Sequence, residues 1–257
     1  MTVKWSYGSF WFGWLTAKCS NVMPYRRLPN TDQARVRALR TFLEKADSLA
    51  VYDFAVTLQT LSAVRSFLPK LEMAQRSYTD AMSRQSQAGR THLTHAKMAR
   101  LYVSHFIQVL NLAVIRGEVR PVHKQLYGLD THSNTLPDLS SEASLVEWGN
   151  KVIVGEQRRL SQGGVPIYNP TIAKVKVHYD IFLESYERQH GFQAATARAL
   201  DKVVALRAEA DRLILDVWNQ VEAHFSTQPS PLRRMEMCRA YGVVYYYRTG
   251  EKQLEEV

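Results

Sequence analysis

Residues 101–115, LYVSHFIQVLNLAVI, give the clearest indication of the fold class of this chain. The apolar residues of this stretch recur every three or four positions, which is the period of an α-helix. The side of this helix predicted to be buried is wide and comprises Leu101, Tyr102, Val103, Phe106, Val109, Leu110, Ala113 and Val114. A membrane span requires roughly 18 consecutive apolar residues. This stretch is shorter and is interrupted by polar residues on the other side of the helix, such as His105 and Gln108. The pattern therefore predicts a helix at the centre of a helical bundle and no membrane span.

Around this stretch, residues 57–116 are predicted to form a long helical hairpin. The polar segment 83–91 contains Gly89 and is predicted to be the turn between its two legs. Pro69 lies inside the first leg and is expected to kink or split it, because proline cannot donate the helical hydrogen bond.

Residues 170–226 are predicted to form a second hairpin. Apolar side chains spaced by three and four positions mark its first leg; they are Ile172, Val175, Tyr179, Phe182 and Tyr186. The seam becomes polar near Gly191 and apolar again at Leu200, which places a turn at 190–197. One continuous helix is the alternative. Two packed hairpins give an all-α, elongated four-helix bundle.

Shorter elements are predicted between and after the hairpins. The connection 117–168 is expected to contain one helix, with Ser141 as its N-cap. The C-terminal part, 231–250, is expected to hold a short helix and then a strand, because Val243–Tyr247 is aromatic and β-branched. A strand needs a partner, and residues 165–168 are the first candidate, with another chain as the alternative. The fold class thus includes a small two-stranded β element near the C-terminus.

The N-terminal residues 1–22 are rich in tryptophan and other aromatic side chains but show little periodicity. A secretory signal has a smoother aliphatic core and a small-residue cleavage site. We expect residues 1–22 to be a non-native or flexible extension, with translation starting at Met23, and a genuine signal sequence is the alternative. Residues 23–257 are then predicted to form a single helical-bundle domain.

Basic residues give the chain a formal net charge of +9. One basic group surrounds the first predicted helix and consists of Arg26, Arg27, Arg35, Arg37, Arg40 and Lys45. A second comprises Arg84, Arg90, Lys97, Arg100, Arg116, Arg120 and Lys124. Such groups can neutralise phosphates, so nucleic acid or another anionic molecule is a possible partner. A solvated helix face is the plainer interpretation, and no helix-turn-helix or aromatic RNA-binding signature supports base readout.

Metal-binding spacing occurs at two places. Glu187 and His190 have the i, i+3 spacing of di-iron bundles, but such a site needs a second copy of the motif and two further glutamates. His92 and His95 lie one helical turn apart, without an acidic neighbour in sequence. We therefore regard all four as weak candidates and expect no metal and no cofactor.

Catalytic motifs are absent from the sequence: there is no phosphate-binding glycine loop, dinucleotide fingerprint or nucleophile elbow. Cys19 and Cys238 cannot form a disulfide framework, which fits the reducing cytoplasm. We predict no catalytic residues and, on balance, no enzymatic activity. Tyr245, Tyr246 and Tyr247 form an aromatic edge that could add a strand from a partner, or could be buried against the chain's own helices.

Three segments, 25–32, 103–112 and 242–251, resemble a family of uncharacterised α-helical bacterial proteins that is common in the Bacteroidetes. The resemblance covers most of the chain from Met23 onward and implies no activity and no catalytic residues. The leading functional hypothesis is a non-enzymatic helical-bundle interaction or scaffold protein that associates with itself. A nucleic-acid-associated protein and a metal-binding bundle enzyme are the alternatives.

Overall fold

The structure is a computed structural model that describes residues 24–50 and 53–249. The predicted extension 1–22 lies outside these residues. In chain order the elements are β1 (Tyr25–Arg26), α1 (Asp32–Asp47), α2 (Leu58–Ile115), a 3₁₀ helix (Pro121–Tyr127), α3 (Glu142–Ser161), α4 (Ile172–His224), a 3₁₀ turn (Phe225–Thr227), α5 (Pro231–Ala240) and β2 (Tyr245–Tyr246). The all-α class and the small two-stranded sheet are confirmed, and the long helices α2 and α4 pack together.

The chain divides into two compact units. Of the described residues, 24–50, 53–68 and 209–249 form unit 1, and 69–208 form unit 2. Unit 1 contains α1, the start of α2, the end of α4, α5 and the sheet. Its core consists of side chains from all of these helices, among them Phe42, Val64, Leu213, Trp218 and Cys238.

Unit 2 contains the rest of α2 and α4 together with α3 and the 3₁₀ helix Pro121–Tyr127. Its core includes Val103, Phe106, Leu110, Leu145, Val175 and Phe182, all fully buried. Ser141 is the N-cap of α3 as predicted, because its hydroxyl accepts a hydrogen bond from the Ser144 amide at 3.0 Å. This burial explains why the apolar spacing at 101–115 and 172–186 folds as helix.

Neither predicted hairpin turn is present: α2 and α4 are uninterrupted helices through 83–91 and 190–197. Side chains 72–91 of α2 and 186–198 of α4 are all exposed or half-buried, so polar residues there contact solvent without leaving the helix. An isolated glycine such as Gly89 or Gly191 weakens a helix by about 1 kcal/mol but does not end it. Pro69 likewise lies within α2 without splitting it. The alternative of one continuous helix over 170–226 therefore describes this region correctly, because α4 runs without a break from Ile172 to His224.

The glycine at position 191 provides a test of this continuity. A Cβ atom built there meets nothing within 4 Å. Gly191→Ala should therefore raise the free energy of unfolding by about 0.5–1 kcal/mol, because alanine loses less conformational entropy in a helix interior. Urea denaturation monitored by circular dichroism measures this change. A loss of stability would contradict a continuous helix at this position.

The predicted C-terminal strand has a different partner from the one expected. β2 pairs antiparallel with β1, with Tyr246 opposite Tyr25 and Tyr245 opposite Arg26. The expected partner 165–168 is instead held within unit 2, where the Val165 carbonyl accepts a hydrogen bond from Arg159 at 2.7 Å. Hydrogen bonding between residues so distant in sequence leaves no local periodicity, which is why the partner was misassigned.

Candidate functional site

Two of the predicted nucleic-acid-binding arginines serve the packing of unit 1. Arg35 donates to both carboxylate oxygens of Asp211, at 2.7 and 3.0 Å, and this carboxylate comes from α4. The guanidinium of Arg26 lies 3.3 Å from a carboxylate oxygen of Glu222, which is also on α4. A guanidinium group paired in this way is already neutralised, so it offers little attraction to a phosphate.

Arg27 and Arg37 lie elsewhere and line one cavity of unit 1, together with Arg239 of α5. Arg40 and Lys45 are on α1 outside the lining of this cavity. Two of the six residues are thus paired with carboxylates of α4, and two others line this cavity. Nucleic-acid binding by this group stays a prediction, with fewer available cations than the sequence indicated.

The second basic group is also partly used inside unit 2. Arg100 donates to the backbone carbonyls of Leu139 and Ser140, at 2.7 and 3.0 Å. Lys124 is buried and its ammonium donates to Asn134 at 3.1 Å. These cations stabilise the loop that precedes α3.

His92 is the most buried of the candidate metal ligands, and both of its ring nitrogens have a polar partner. Nδ1 lies 3.0 Å from the Ser185 hydroxyl and Nε2 lies 2.8 Å from a Glu142 carboxylate oxygen. The ring also stacks on Phe182, with centroids 5.7 Å apart. His92 therefore connects α2, α3 and α4 and has no lone pair available for a metal without rearrangement.

The other metal candidates are not brought together with His92 into a ligand set. His190 makes an edge-on contact with Tyr186, and Glu187 is exposed on α4. Within residues 24–50 and 53–249, no group of three His, Cys, Asp or Glu side chains could hold a metal ion. His95 is half-buried, and its Nδ1 has no hydrogen-bond partner in the part of the chain that the structure describes.

The three C-terminal tyrosines have different surroundings. The Tyr245 hydroxyl donates to Glu222 at 2.7 Å, and burial together with this bond raises the pKa of Tyr245. Tyr247 is half-buried and its hydroxyl lies against Met235. Tyr246 is 40% exposed beside Tyr25. The aromatic edge is thus largely packed on unit 1, and its role as an interface stays a prediction.

Sequence reasoning missed a buried polar cluster formed by Tyr127, Glu156 and Arg159. Arg159 donates to both carboxylate oxygens of Glu156 at 2.8 Å and to the Tyr127 hydroxyl at 3.0 Å. The Tyr127 hydroxyl also donates to Glu156. Burial and the carboxylate raise the pKa of Tyr127, and the carboxylate raises the pKa of Arg159. The i, i+3 spacing of Glu156 and Arg159 was visible in the sequence, but their burial was not.

Sequence reasoning also missed an exposed apolar stripe on α2. Leu101 belongs to the face predicted to be buried, yet 55% of it is exposed. Met98, Leu112 and Ile115 are exposed as well, and Ile115 reaches 64%. These four lie along one side of α2 because their spacings follow the helical period, with His105 and Gln108 between them. The helix was predicted to be buried on too many sides.

α4 contributes two more exposed apolar residues, Val177 and Ile181, one turn apart. Tyr102 of α2 stacks on His178 of α4 with centroids 4.1 Å apart, which places the two helices side by side here. Lys174 lies over the same Tyr102 ring at 5.4 Å. We name this surface of unit 2 the apolar face; it consists of Met98, Leu101, Leu112, Ile115, Val177 and Ile181.

Within the part of the chain that the structure describes, α2 is the one helix long and apolar enough to cross a membrane by length and composition. Only 39% of its most apolar 18-residue segment is buried. A core helix of a soluble protein meets the same criterion, so the absence of a membrane span stays a prediction.

Comparisons of the chain with family models, with curated proteins and with solved structures find no match. The resemblance to helical bacterial proteins therefore stays a prediction.

Proposed function

We propose that this protein is a non-enzymatic helical-bundle interaction protein that associates with a second copy of itself through the apolar face of unit 2. The observation that supports this is the exposure of six large apolar side chains on α2 and α4 of unit 2, the two helices that the Tyr102–His178 contact places side by side. Water contact with clustered apolar groups is unfavourable by about 25 cal/mol for each Å², so covering such a surface drives association.

The occupant is inferred from the residues that border the face on α4. Lys174, Val177, Ile181 and Glu184 are spaced 3-4-3, with a cation at one end and a carboxylate at the other. Position 179 is midway between Lys174 and Glu184 and also midway between Val177 and Ile181. A two-fold axis at this level would place Lys174 opposite the partner's Glu184 and Val177 opposite the partner's Ile181. This row of four α4 residues is therefore complementary to an antiparallel copy of itself, as a two-fold interface requires.

Both end charges are accessible for this pairing. The Glu184 side chain is 71% exposed and shares its charge with Arg188 one turn away. Lys174 is exposed, and its ammonium lies over the Tyr102 ring. Charge complementarity at the rim sets the register of an interface, whereas the apolar centre supplies most of the free energy.

The chain should sediment as a dimer in analytical ultracentrifugation at micromolar concentration, and Ile181→Asp should make it a monomer, because the variant places an unpaired carboxylate at the centre of the interface. Lys174→Glu and Glu184→Lys should each weaken the dimer by placing like charges opposite each other. The double variant Lys174→Glu/Glu184→Lys should recover it, because the exchanged charges again face opposite partners.

Val165→Asp is the matched control, since Val165 is a 72% exposed apolar residue of unit 2 in a loop outside the apolar face. It should leave the dimer intact, and circular dichroism should show that every variant is folded. A wild-type protein that is still monomeric at a concentration about 100 times higher than micromolar would refute self-association. Its dimerisation would then be weaker than expected by more than about 2 kcal/mol. A dimer indifferent to Ile181→Asp would refute this face.

A further inference from the structure

A cavity of about 430 Å³ lies in unit 1, between α1, the end of α4, and the segment that follows α5. Three arginines line it, Arg27, Arg37 and Arg239, and all three are exposed. Among the described residues, no carboxylate lines the cavity, and none of these three side chains has an ion pair. Three uncompensated cations at one concave surface repel one another, so an anion that enters the cavity relieves this repulsion.

The cavity exists because short side chains line it. Ala34 and Ala38 lie on the same side of α1, and the buried Trp218 of α4 lines the cavity as well. Gly242 brings the chain after α5 close to α1: a Cβ atom there would lie 2.9 Å from the Ala38 carbonyl oxygen. Gly242 also has a φ of +85°, which glycine adopts without strain. The backbone thus fixes Arg239 and Arg37 at one site.

The lining combines these cations with apolar surface from Leu28, Val243 and Val244. Ligand sites are commonly concave, mainly apolar and equipped with a few polar groups, in volumes of roughly 300–1,000 Å³. Arginine forms paired hydrogen bonds with the oxygens of a phosphate group, which lysine cannot match in geometry. A duplex or a long strand of nucleic acid is far larger than this cavity, whereas a small organic anion fits.

We propose that this cavity, the arginine cavity, binds a small organic phosphate: a phosphate monoester held by Arg27, Arg37 and Arg239, with a compact apolar body against the apolar lining. The site belongs to unit 1 and is independent of the association proposed for unit 2. It involves binding only, with no bond made or broken.

Isothermal titration calorimetry with 1-naphthyl phosphate and with 1-naphthol tests the proposal, because the two probes differ only by the phosphate. The phosphate ester should bind at least about tenfold more tightly than the alcohol, and its affinity should fall as salt is raised. Inorganic phosphate, which lacks the apolar body, should bind more weakly than the ester. Equal affinity for the ester and the alcohol would overturn the proposal.

Variants separate the charge of the cavity from its shape. Arg37→Gln and Arg239→Gln should each weaken binding of 1-naphthyl phosphate by about tenfold or more. Arg233→Gln removes an exposed arginine of α5 outside the cavity and should leave binding unchanged. Ala34→Phe keeps every charge but fills the cavity, and it should abolish binding while circular dichroism shows a folded protein. Unchanged binding in Arg37→Gln or in Ala34→Phe would overturn the proposal.

Discussion

Arg159→Met is expected to lower the free energy of unfolding by about 3–5 kcal/mol, the usual effect of removing one member of a buried ion pair. Arg159 and Glu156 have side chains only 2% and 1% exposed. Methionine retains much of the apolar contact but donates no hydrogen bond, so the Glu156 carboxylate would remain buried with only the Tyr127 hydroxyl as a partner. The Val165 carbonyl would also lose its donor. Urea denaturation monitored by circular dichroism measures the loss.

Arg158→Met provides the matched control, because Arg158 is the adjacent residue of α3 and is exposed. It should change stability by no more than about 0.5 kcal/mol, as is usual for a surface substitution. Glu156→Gln/Arg159→Met removes both charges and should cost less than the sum of the single variants. Equal effects of Arg159→Met and Arg158→Met would show that the cluster is not buried in solution.

Gly149→Ala is expected to destabilise the protein by about 1–3 kcal/mol or more through overpacking. A Cβ atom at this position of α3 would lie 2.2 Å from a ring carbon of Tyr179. That ring cannot move easily, because it is 5% exposed and its hydroxyl donates to the Val146 carbonyl at 2.6 Å. Accommodation of the methyl group requires that α3 and α4 separate locally. The change is measured by the same denaturation as for the arginine variants.

Gly191→Ala is the same chemical change in the same protein and is expected to have the opposite sign. A second comparison uses Tyr179→Leu, which removes the obstructing ring: Gly149→Ala should cost less in that background than in the wild type. If Gly149→Ala stabilised the protein as Gly191→Ala should, the close packing of α3 against Tyr179 would be refuted.

The candidate sites were only partly accessible from the sequence. Arg27 and Arg37 were among the predicted basic residues, but Arg239 is about 200 positions away and was not grouped with them. Arg26 is adjacent in sequence to Arg27, and Arg35 lies two residues before Arg37. Unlike these neighbours, Arg26 and Arg35 are paired with carboxylates of α4. No local pattern separates a neutralised arginine from a free one, because the difference depends on what a distant element places beside it.

Local sequence patterns were sufficient to predict that the chain is helical, where α3 begins, and that Phe106 and Phe182 are buried, all of which the structure confirms. These features follow from periodicity and capping, which act within a few residues. Three features depend on long-range packing instead: the continuity of α2 and α4, the pairing of β1 with β2, and the exposure of Leu101. Each of these depends on which surfaces distant elements cover. A polar stretch in a helix needs no turn when it remains in water, and an apolar side is exposed when no element packs on it.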